Sequence, residues 1–320
     1  MVNKKKSIVM SAVIPAYNEE GNVRHLYNEI KLVMFDLIEK GKIKDYEVVF
    51  VNDGSTDRTQ EVLEEMKKNE KDRLKIVTLR RNFGQTAGLH AGFKHAKGDL
   101  IVTMDADLQN DPAYIPKLMD KMNEGYDVVS GWRFNRQDKF GKRIFSKIMN
   151  ALRKKMIGDE LHDYGCSLKL YKKECVKDLE LMGELHRYIT AYLYVKGYKI
   201  GEIKVNHRAR KSGVTKYRFN RGINGVMDLF YLKFWSSFSD RPLHLFGRLG
   251  IYQWIIAVLL VVEQIIKAVI VGYLNYGPVL AFAGLLVVTG ALSIIFGFLF
   301  ETMSRMYYKE RDVYSVKKVN

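Results

Sequence analysis

Short apolar segments alternate with longer helix-like segments along most of the chain, and this alternation constrains the fold more than any other feature. Residues 46–52 are apolar nearly throughout, as in strands that are covered on both faces of a sheet. Strands alternating with helices at this spacing predict an α/β fold with a doubly wound, mostly parallel sheet. The predicted strands are residues 7–14, 46–52, 75–79, 100–104, 127–131, 164–171 (with a turn) and 198–205, and the predicted helices are residues 23–39, 57–68, 85–94, 115–122 and 187–195.

Two local signals define ends of these elements. Pro15 lacks an N–H donor, so we expect it to end the first strand. Ser55 or Thr56 has a hydroxyl that can accept from a helix N-terminus, so we expect one of them to cap the second helix.

Polar clusters follow five of the predicted strands. In open α/β sheets, ligands bind outside the carboxyl ends of the strands, so five such clusters predict one composite site at that edge. The first cluster lacks the G-x-G-x-x-G pattern, which argues against a nicotinamide dinucleotide site. The clusters are residues 17–20, 53–57, 82–85, 105–109 and 132–133.

The fourth cluster has the strongest chemical signal. Asp105, Asp107 and Gln109 follow an apolar strand within five residues, so a rigid strand end presents three oxygen donors. Mg²⁺ and Mn²⁺ prefer such donors and often take substrate phosphates as further ligands. This pattern favours a metal-bridged diphosphate, and therefore a nucleotide-sugar donor. The alternative is a strand followed by an ordinary polar turn, because Asp-x-Asp alone is a common pattern.

The charge and the apolar C-terminal region indicate a membrane. Lys and Arg number 52 against 36 Asp and Glu, a net charge of +16, which suggests nucleic acid, an acidic substrate or a membrane surface as partner. Residues 277–300 carry no charge and are long enough to cross a bilayer. Residues 249–271 form a second candidate span, although Glu263 and Lys267 also allow an interfacial or re-entrant helix.

Basic residues flank these two candidate spans, whereas residues 272–276 between them contain none. The positive-inside rule therefore predicts a two-span membrane protein with the catalytic domain and both termini in the cytoplasm. No cleavable signal peptide is expected at the start of the chain. Cys166 and Cys175 form no disulfide framework and have no metal-site spacing, which fits a reducing compartment.

Three further segments are rich in basic residues. Residues 139–156 have an apolar residue at every fourth position, which predicts a basic helix lying on anionic lipid or, equally, packed with its basic face in solvent. Residues 207–217 carry five basic side chains in a glycine-containing loop suited to phosphate. Residues 219–239 combine aromatic and basic side chains suited to the headgroup layer.

Seven short motifs, in their order along the chain, give the sequence a resemblance to the inverting family-2 glycosyltransferases. The resemblance is closer to their polyprenyl-phosphate branch, which includes dolichyl-phosphate mannose synthases and bactoprenyl-phosphate glucosyltransferases. The resemblance covers essentially the whole chain. The motifs are VIPAYNEE at 13–20, VNDGSTD at 51–57, NFG at 82–84, DADLQ at 105–109, GWR at 131–133, GVTKY at 213–217 and SDRPL at 239–243.

The resemblance implies a GT-A catalytic domain at residues 1–212, an acceptor loop and juxtamembrane amphipathic helix at 213–246, two transmembrane helices at 247–302 and a cytoplasmic tail at 303–320. Many glucosyltransferase relatives place an acidic residue where this chain has Cys166, so Asp163 is the nearest candidate base. The implied nucleotide-sugar contacts are Pro15, Tyr17, Glu19, Asp53, Asn82, Asp105 and Ala106; the metal ligands are Asp105, Asp107 and Gln109; the acceptor-phosphate contacts are Arg133, Arg208, Arg210, Ser212 and Lys216; and the catalytic residues are Asp107, Arg133 and Asp163.

The implied reaction is an inverting, Mg²⁺- or Mn²⁺-dependent transfer of a hexose to dolichyl or undecaprenyl phosphate at the cytoplasmic membrane face. The product would be a lipid-linked sugar donor of the kind that protein glycosylation uses, and the enzyme could form a homo-oligomer. The donor could be GDP-mannose, UDP-glucose or UDP-N-acetylglucosamine.

The sequence leaves three alternatives, one in the same superfamily and two in other classes. A processive polysaccharide synthase of the same superfamily would usually carry a Gln-x-x-Arg-Trp element and more spans, neither of which the sequence contains. A non-catalytic membrane-binding module would not explain the acidic cluster at the strand ends. Nucleic-acid binding is disfavoured by the apolar spans and by the same acidic cluster.

Overall fold

The structure is a computed structural model that describes residues 8–134, 154, 156–158, 160–177, 179, 185–208, 227, 230–231, 233–234, 237–238, 241–272 and 277–308. The chain forms two compact units, Met1–Leu229 and Phe230–Asn320. The predicted basic helix at residues 139–156 and the aromatic segment at 219–239 lie mostly outside the described residues.

The first unit alternates strands and helices as the sequence predicts. Short 3₁₀ turns at Pro112–Tyr114 and Leu185–Arg187 precede the fourth and sixth helices. The strands are β1 (Val9–Ala16), β2 (Asp45–Asn52), β3 (Leu74–Thr78), β4 (Leu100–Thr103), β5 (Val128–Arg133), β6 (Lys169–Lys172) and β7 (Ile200–Val205). The helices are α1 (Val23–Glu39), α2 (Thr59–Asn69), α3 (Gln85–His95), α4 (Ile115–Met122), α5 (Lys173–Val176) and α6 (Ile189–Val195).

The seven strands form one sheet in the order β3-β2-β1-β4-β6-β5-β7. All neighbours are parallel except β6, which runs antiparallel to both β4 and β5. One core packs α1, α2 and α4 on one side of the sheet, through Leu26, Leu63 and Leu118. A second core contains Phe93 of α3 and Leu193 of α6. The predicted doubly wound, mostly parallel α/β sheet is therefore confirmed.

The predictions for where the first strand ends and for which residue caps the second helix are both wrong. β1 continues through Pro15 to Ala16, because the carbonyl oxygen of Ala16 still accepts from the N–H of Asp53 at 2.9 Å. Helix α2 begins at Thr59, and the Asp57 carboxylate rather than Ser55 or Thr56 accepts from the Thr59 N–H, at 3.0 Å. The Ser55 hydroxyl and the Thr56 N–H instead hydrogen bond to Asn18.

The second unit contains α7 (Pro242–Val271) and α8 (Pro278–Tyr308), and both helices are long and apolar enough to cross a membrane. Small residues let the two helices approach closely. Ala257 and Ala283 are buried, and a Cβ placed on Gly250 would lie 2.5 Å from the Gly290 carbonyl oxygen. The small positions recur every seven residues on each helix, which is a typical spacing for a helix pair packed along one seam.

A substitution at Gly290 tests this packing. A Cβ at Gly290 would lie 2.6 Å from the indole ring of Trp254, whereas a Cβ at Gly284 on the same helix meets nothing within 4 Å. We expect Gly290→Val to destabilise the protein by about 1–3 kcal/mol through overpacking, while Gly284→Val has little effect. Thermal unfolding of the two detergent-solubilised variants measures the difference, and equal melting temperatures would contradict the packing described here.

Candidate active site

The end of β2 is tied to the end of β3 by the Asp53 carboxylate. Asp53 is buried, and its two oxygens accept from the backbone N–H groups of Phe83 at 2.7 Å and Gly84 at 2.8 Å. Gly54 has φ 65° and touches the other loop so closely that a Cβ would lie 2.3 Å from the Arg81 carbonyl carbon. Asp53 therefore shapes the loop that contains Asn82.

The loop after β1 is fastened to the loop after β2. Asn18 has φ 57°, a left-handed conformation that asparagine tolerates, and its carboxamide oxygen accepts from the Thr56 N–H at 2.8 Å. The Glu19 N–H donates to the Thr59 hydroxyl at 2.8 Å. These bonds hold Tyr17 and Glu19 half-buried at the same sheet edge as Asp53. Their predicted contacts with the nucleotide stay predictions.

Asp105 and Asp107 follow β4 directly. Asp105 is half-buried and its Oδ1 accepts from the Gln85 side-chain amide at 2.7 Å, while Asp107 is only 7% exposed. Leu108 has φ 63°, and this left-handed residue turns the chain between Asp107 and Gln109. The neighbouring Ala106 packs into the core. The structure therefore brings the three predicted metal ligands together at one strand end.

The electrostatics of this strand end suit a cation. Burial raises the pKa of Asp105, and the negative charge of Asp107 raises it further, whereas Ser167, Arg133 and Lys169 act in the opposite direction. Two carboxylates that disfavour each other's charge gain free energy when a cation binds between them.

The donor set also fits a divalent cation. Among the described residues, no cluster of three or more His, Cys, Asp or Glu side chains is placed to hold a metal. Two carboxylates and the Gln109 amide are nevertheless a sufficient protein set for Mg²⁺ or Mn²⁺, because such ions usually take remaining ligands from water and substrate phosphates.

Close enough to this strand end for Arg133 to act on the pKa of Asp105, Arg133 and Asp163 form a bidentate ion pair that is largely buried. Arg133 Nε and Nη2 donate to the two carboxylate oxygens at 2.6 and 2.9 Å, and the Arg133 and Gly165 N–H groups donate to the same carboxylate. Burial alone lowers the pKa of Arg133, but the hydrogen bonds and charge of Asp163 raise it overall above its usual value. Each oxygen of Asp163 thus already accepts two hydrogen bonds.

Two more buried groups lie near this pair, and sequence reasoning missed one of them, Lys169. Lys169 is only 4% exposed, its ammonium donates to the carbonyl oxygens of Tyr164 and Cys166, and burial lowers its pKa. Cys166 is fully buried, and burial raises the pKa of its thiol. Lys169 is the first residue of β6, where the local sequence gives no signal of a buried lysine, so only its position in the fold reveals it.

An aromatic platform lies at the ends of β5 and β7. The Trp132 ring stacks on His162 with 4.1 Å between centroids, and the Lys204 ammonium lies 5.2 Å from the Trp132 ring centre. Glu202 accepts from the His162 ring at 2.8 Å. The sequence signal for this platform was the polar cluster at 132–133, which identifies Trp132 but neither His162 nor Lys204.

The predicted acceptor-phosphate residues are only partly described. Arg208 lies beside the metal-ligand loop, and its guanidinium pairs with Glu29 at 2.7 Å and with Asp111 at 2.9 Å. Arg210, Ser212 and Lys216 lie outside the described residues.

The profile of the family described as Glycosyl transferase family 2 matches residues 11–180, more than half of the chain. This chain belongs to glycosyl transferase family 2. It is therefore a glycosyltransferase, and the family resemblance of its motifs is confirmed.

Curated relatives match the family-2 chain over nearly its whole length. It is 37% identical over 310 residues to the dodecaprenyl-phosphate galacturonate synthase of Rhizobium johnstonii, covering 95% of this chain and 90% of that one. It is 34% identical over 316 residues to the undecaprenyl-phosphate 4-deoxy-4-formamido-L-arabinose transferase of Photorhabdus laumondii subsp. laumondii, covering 97% of this chain and 94% of that one.

Among solved structures, this glycosyltransferase is similar to glucosyl-3-phosphoglycerate synthase from Mycobacterium tuberculosis in complex with Mn²⁺, UDP-glucose and phosphoglyceric acid. The TM-score is 0.54 at 17% identity, over 71% of this chain and 80% of that one. The same enzyme with Mn²⁺, UDP and phosphoglyceric acid gives 0.53 at 17% identity, over 71% and 78%. At this identity the likeness shows a shared fold, and it confirms the predicted GT-A class.

Removing one partner of the Arg133–Asp163 ion pair should lower the stability of the protein. Asp163→Ala leaves a buried guanidinium without its counter-charge, so we expect a loss of about 3–5 kcal/mol in the free energy of unfolding. Replacing both partners with apolar residues, Arg133→Met with Asp163→Leu, should recover much of that loss.

Chemical denaturation of these variants measures the effect. The control is Asp36→Asn, which breaks an exposed pair with Lys40 and should change stability by less than about 0.5 kcal/mol. If Asp163→Ala is as stable as that control while turnover is lost, Asp163 acts as a base rather than as the partner of Arg133.

Proposed function

We propose that this family-2 glycosyltransferase transfers a sugar from a nucleotide sugar to a polyprenyl phosphate at the cytoplasmic face of a membrane. The observation that carries the proposal is the full-length match to two relatives that are both named for polyprenyl-phosphate sugar transfer. The match covers 95% and 97% of this chain, so it includes the two long apolar helices beyond the family profile.

The loops after β1, β2 and β3 would bind the donor nucleotide. Tyr17, Glu19 and Asp53 lie at one sheet edge, and the bonds from Asp53 to the Phe83 and Gly84 backbone fix the shape of that edge. A hexose nucleotide such as GDP-mannose or UDP-glucose fits this proposal. The names of the two relatives add a uronic acid and a formamido-arabinose to the donor sugars to be tested.

The diphosphate of the donor would lie at the end of β4. Asp105, Asp107 and Gln109 would hold Mg²⁺ or Mn²⁺ there, and the ion would neutralise the diphosphate and make it a better leaving group. Asp107 is only 7% exposed and Asp105 is fixed by Gln85, so both carboxylates keep their positions before the donor arrives.

The acceptor would need no strong general base, because a lipid monophosphate is already anionic at neutral pH. This agrees with Asp163, whose oxygens each accept two hydrogen bonds, and with Cys166, whose thiol is fully buried. A phosphate oxygen of the acceptor would attack the anomeric carbon of the donor sugar, while the bond between that carbon and the diphosphate breaks. The electron pair would leave with the nucleoside diphosphate, and in-line attack would invert the anomeric centre.

Basic residues would bring the two anions together. Arg210 and Lys216, in the basic loop at residues 207–217, are the cations proposed for the lipid phosphate. Holding acceptor and donor in line would supply much of the rate through proximity. Helices α7 and α8 would anchor this chemistry to the bilayer, with Arg241, Arg248 and Arg305 on the cytoplasmic side by the positive-inside rule.

A donor screen tests the proposal. Purified full-length protein is incubated with Mn²⁺, undecaprenyl phosphate and each nucleotide sugar in turn, and the product is read as a mass increase of the lipid. We expect one or two donors to transfer, chelator to abolish transfer, and Asp107→Asn to slow it about a hundredfold or more. The control Asp120→Asn removes an exposed carboxylate paired with Lys42 and should transfer at the wild-type rate.

Two outcomes would contradict the proposal. Transfer at full rate in chelator would refute the metal role of Asp105, Asp107 and Gln109. Membrane binding without transfer from any donor would instead favour the non-catalytic membrane module.

A further inference from the structure

Arg208 joins three parts of the first unit that are distant in sequence. Its Nη1 lies 2.7 Å from the Glu29 carboxylate on α1, and its Nη2 lies 2.9 Å from the Asp111 carboxylate after β4. Arg208 itself follows the edge strand β7 by three residues. One guanidinium therefore connects α1, the loop after the central strand β4 and the exit of the edge strand.

The backbone of Arg208 also contacts a predicted metal ligand. The Arg208 N–H donates to the Gln109 carbonyl oxygen at 3.0 Å, and the Gln109 side-chain amide nitrogen donates to the Arg208 carbonyl oxygen at 3.5 Å. Since the amide nitrogen faces the Arg208 backbone, the amide oxygen is the atom left for a cation. Residues that orient a metal ligand in this way commonly matter nearly as much as the ligand itself.

The charges around Arg208 argue against direct contact with a lipid phosphate. One guanidinium paired with two carboxylates gives the group a local charge of −1, which repels an incoming phosphate. The side chains of the three residues are between 24% and 37% exposed, so solvent screens this repulsion only in part. A phosphate could reach Arg208 only by displacing Glu29 or Asp111.

We propose that Arg208, together with Glu29 and Asp111, is a positioning residue that holds the Arg208 backbone against Gln109 and does not bind the acceptor phosphate. The three side chains are called the Arg208 clamp below. The clamp makes Glu29, a residue on α1 outside the strand-end clusters, necessary for the geometry of the donor site. The inference rests on the proposed function for the metal role of Gln109 and for the kinetic test, whereas the Mn²⁺ affinity is measured without any sugar transfer.

A double-mutant cycle tests the clamp in the full-length protein. The variants are Glu29→Gln, Arg208→Gln and their combination, and the matched control is Glu65→Gln, which breaks a more exposed ion pair between Arg24 of α1 and Glu65 of α2. Three quantities are measured: the affinity for Mn²⁺ alone by calorimetry, the midpoint of thermal unfolding, and kcat with the KM for undecaprenyl phosphate.

We expect Glu29→Gln and Arg208→Gln each to weaken Mn²⁺ binding by about tenfold. The double variant should bind Mn²⁺ no more weakly than the single variant with the lower Mn²⁺ affinity, because both substitutions disrupt the same group of contacts. We expect kcat to fall in parallel while the acceptor KM changes by less than about twofold, and the Glu65→Gln control should match wild type in Mn²⁺ affinity and kinetics.

The opposite pattern would overturn the clamp. If Arg208→Gln raises the acceptor KM while Glu29→Gln leaves it unchanged or lowers it, Arg208 binds the phosphate directly. Additive effects of the two substitutions on Mn²⁺ affinity would also refute a single unit. If wild-type protein transfers no sugar, the proposed function fails, but the Mn²⁺ and unfolding measurements still decide the clamp.

Discussion

The antiparallel pairing of β6 with β4 is the constraint on which the candidate site depends. Thr103 pairs with Lys169, so the turn before β6 meets the carboxyl end of β4. Ser167 lies in that turn: its carbonyl oxygen accepts from the Thr103 hydroxyl at 2.7 Å, and its hydroxyl accepts from the Asn110 amide at 2.6 Å. In a wholly parallel sheet, the other end of β6 would lie here. The single reversed strand therefore brings Asp163, which precedes β6, to the sheet edge where β4 and β5 end and where the predicted metal ligands and Arg133 lie.

Buried charge explains how the two walls of the site differ. On one wall, Asp105 and Asp107 are close enough for Asp107 to raise the pKa of Asp105. On the other, Arg133 is paired with Asp163, and the Lys169 ammonium is held by backbone carbonyls. The charges of Arg133 and Lys169 act to lower the pKa of Asp105, against the effects of burial and of Asp107. The predicted contact of Arg133 with the acceptor phosphate stays a prediction.

The sequence predicts the local structure well and the long-range contacts poorly. The range 23–39 for α1 agrees with the structure, and the strand ends are close, because apolar runs bounded by polar turns are local signals. The direction of β6, the burial of Lys169 and the partners of Arg208 depend on which segments meet in space, and periodicity contains no such information. The errors at Pro15 and at the α2 cap have the same origin, since Ser55 and Thr56 bond to the distant Asn18. The roles of the site residues stay predictions.

The proposed chemistry depends most on one cation site at the end of β4. An experimental structure with Mn²⁺ and a nucleoside diphosphate tests that site most directly. Anomalous scattering locates Mn²⁺ without reference to any assumed ligand. We expect one peak at about 2.0–2.2 Å from oxygens of Asp105, Asp107 and Gln109, with the diphosphate completing the shell. A bound nucleotide with its Mn²⁺ peak away from these three residues, or with no peak at saturating Mn²⁺, would contradict the account.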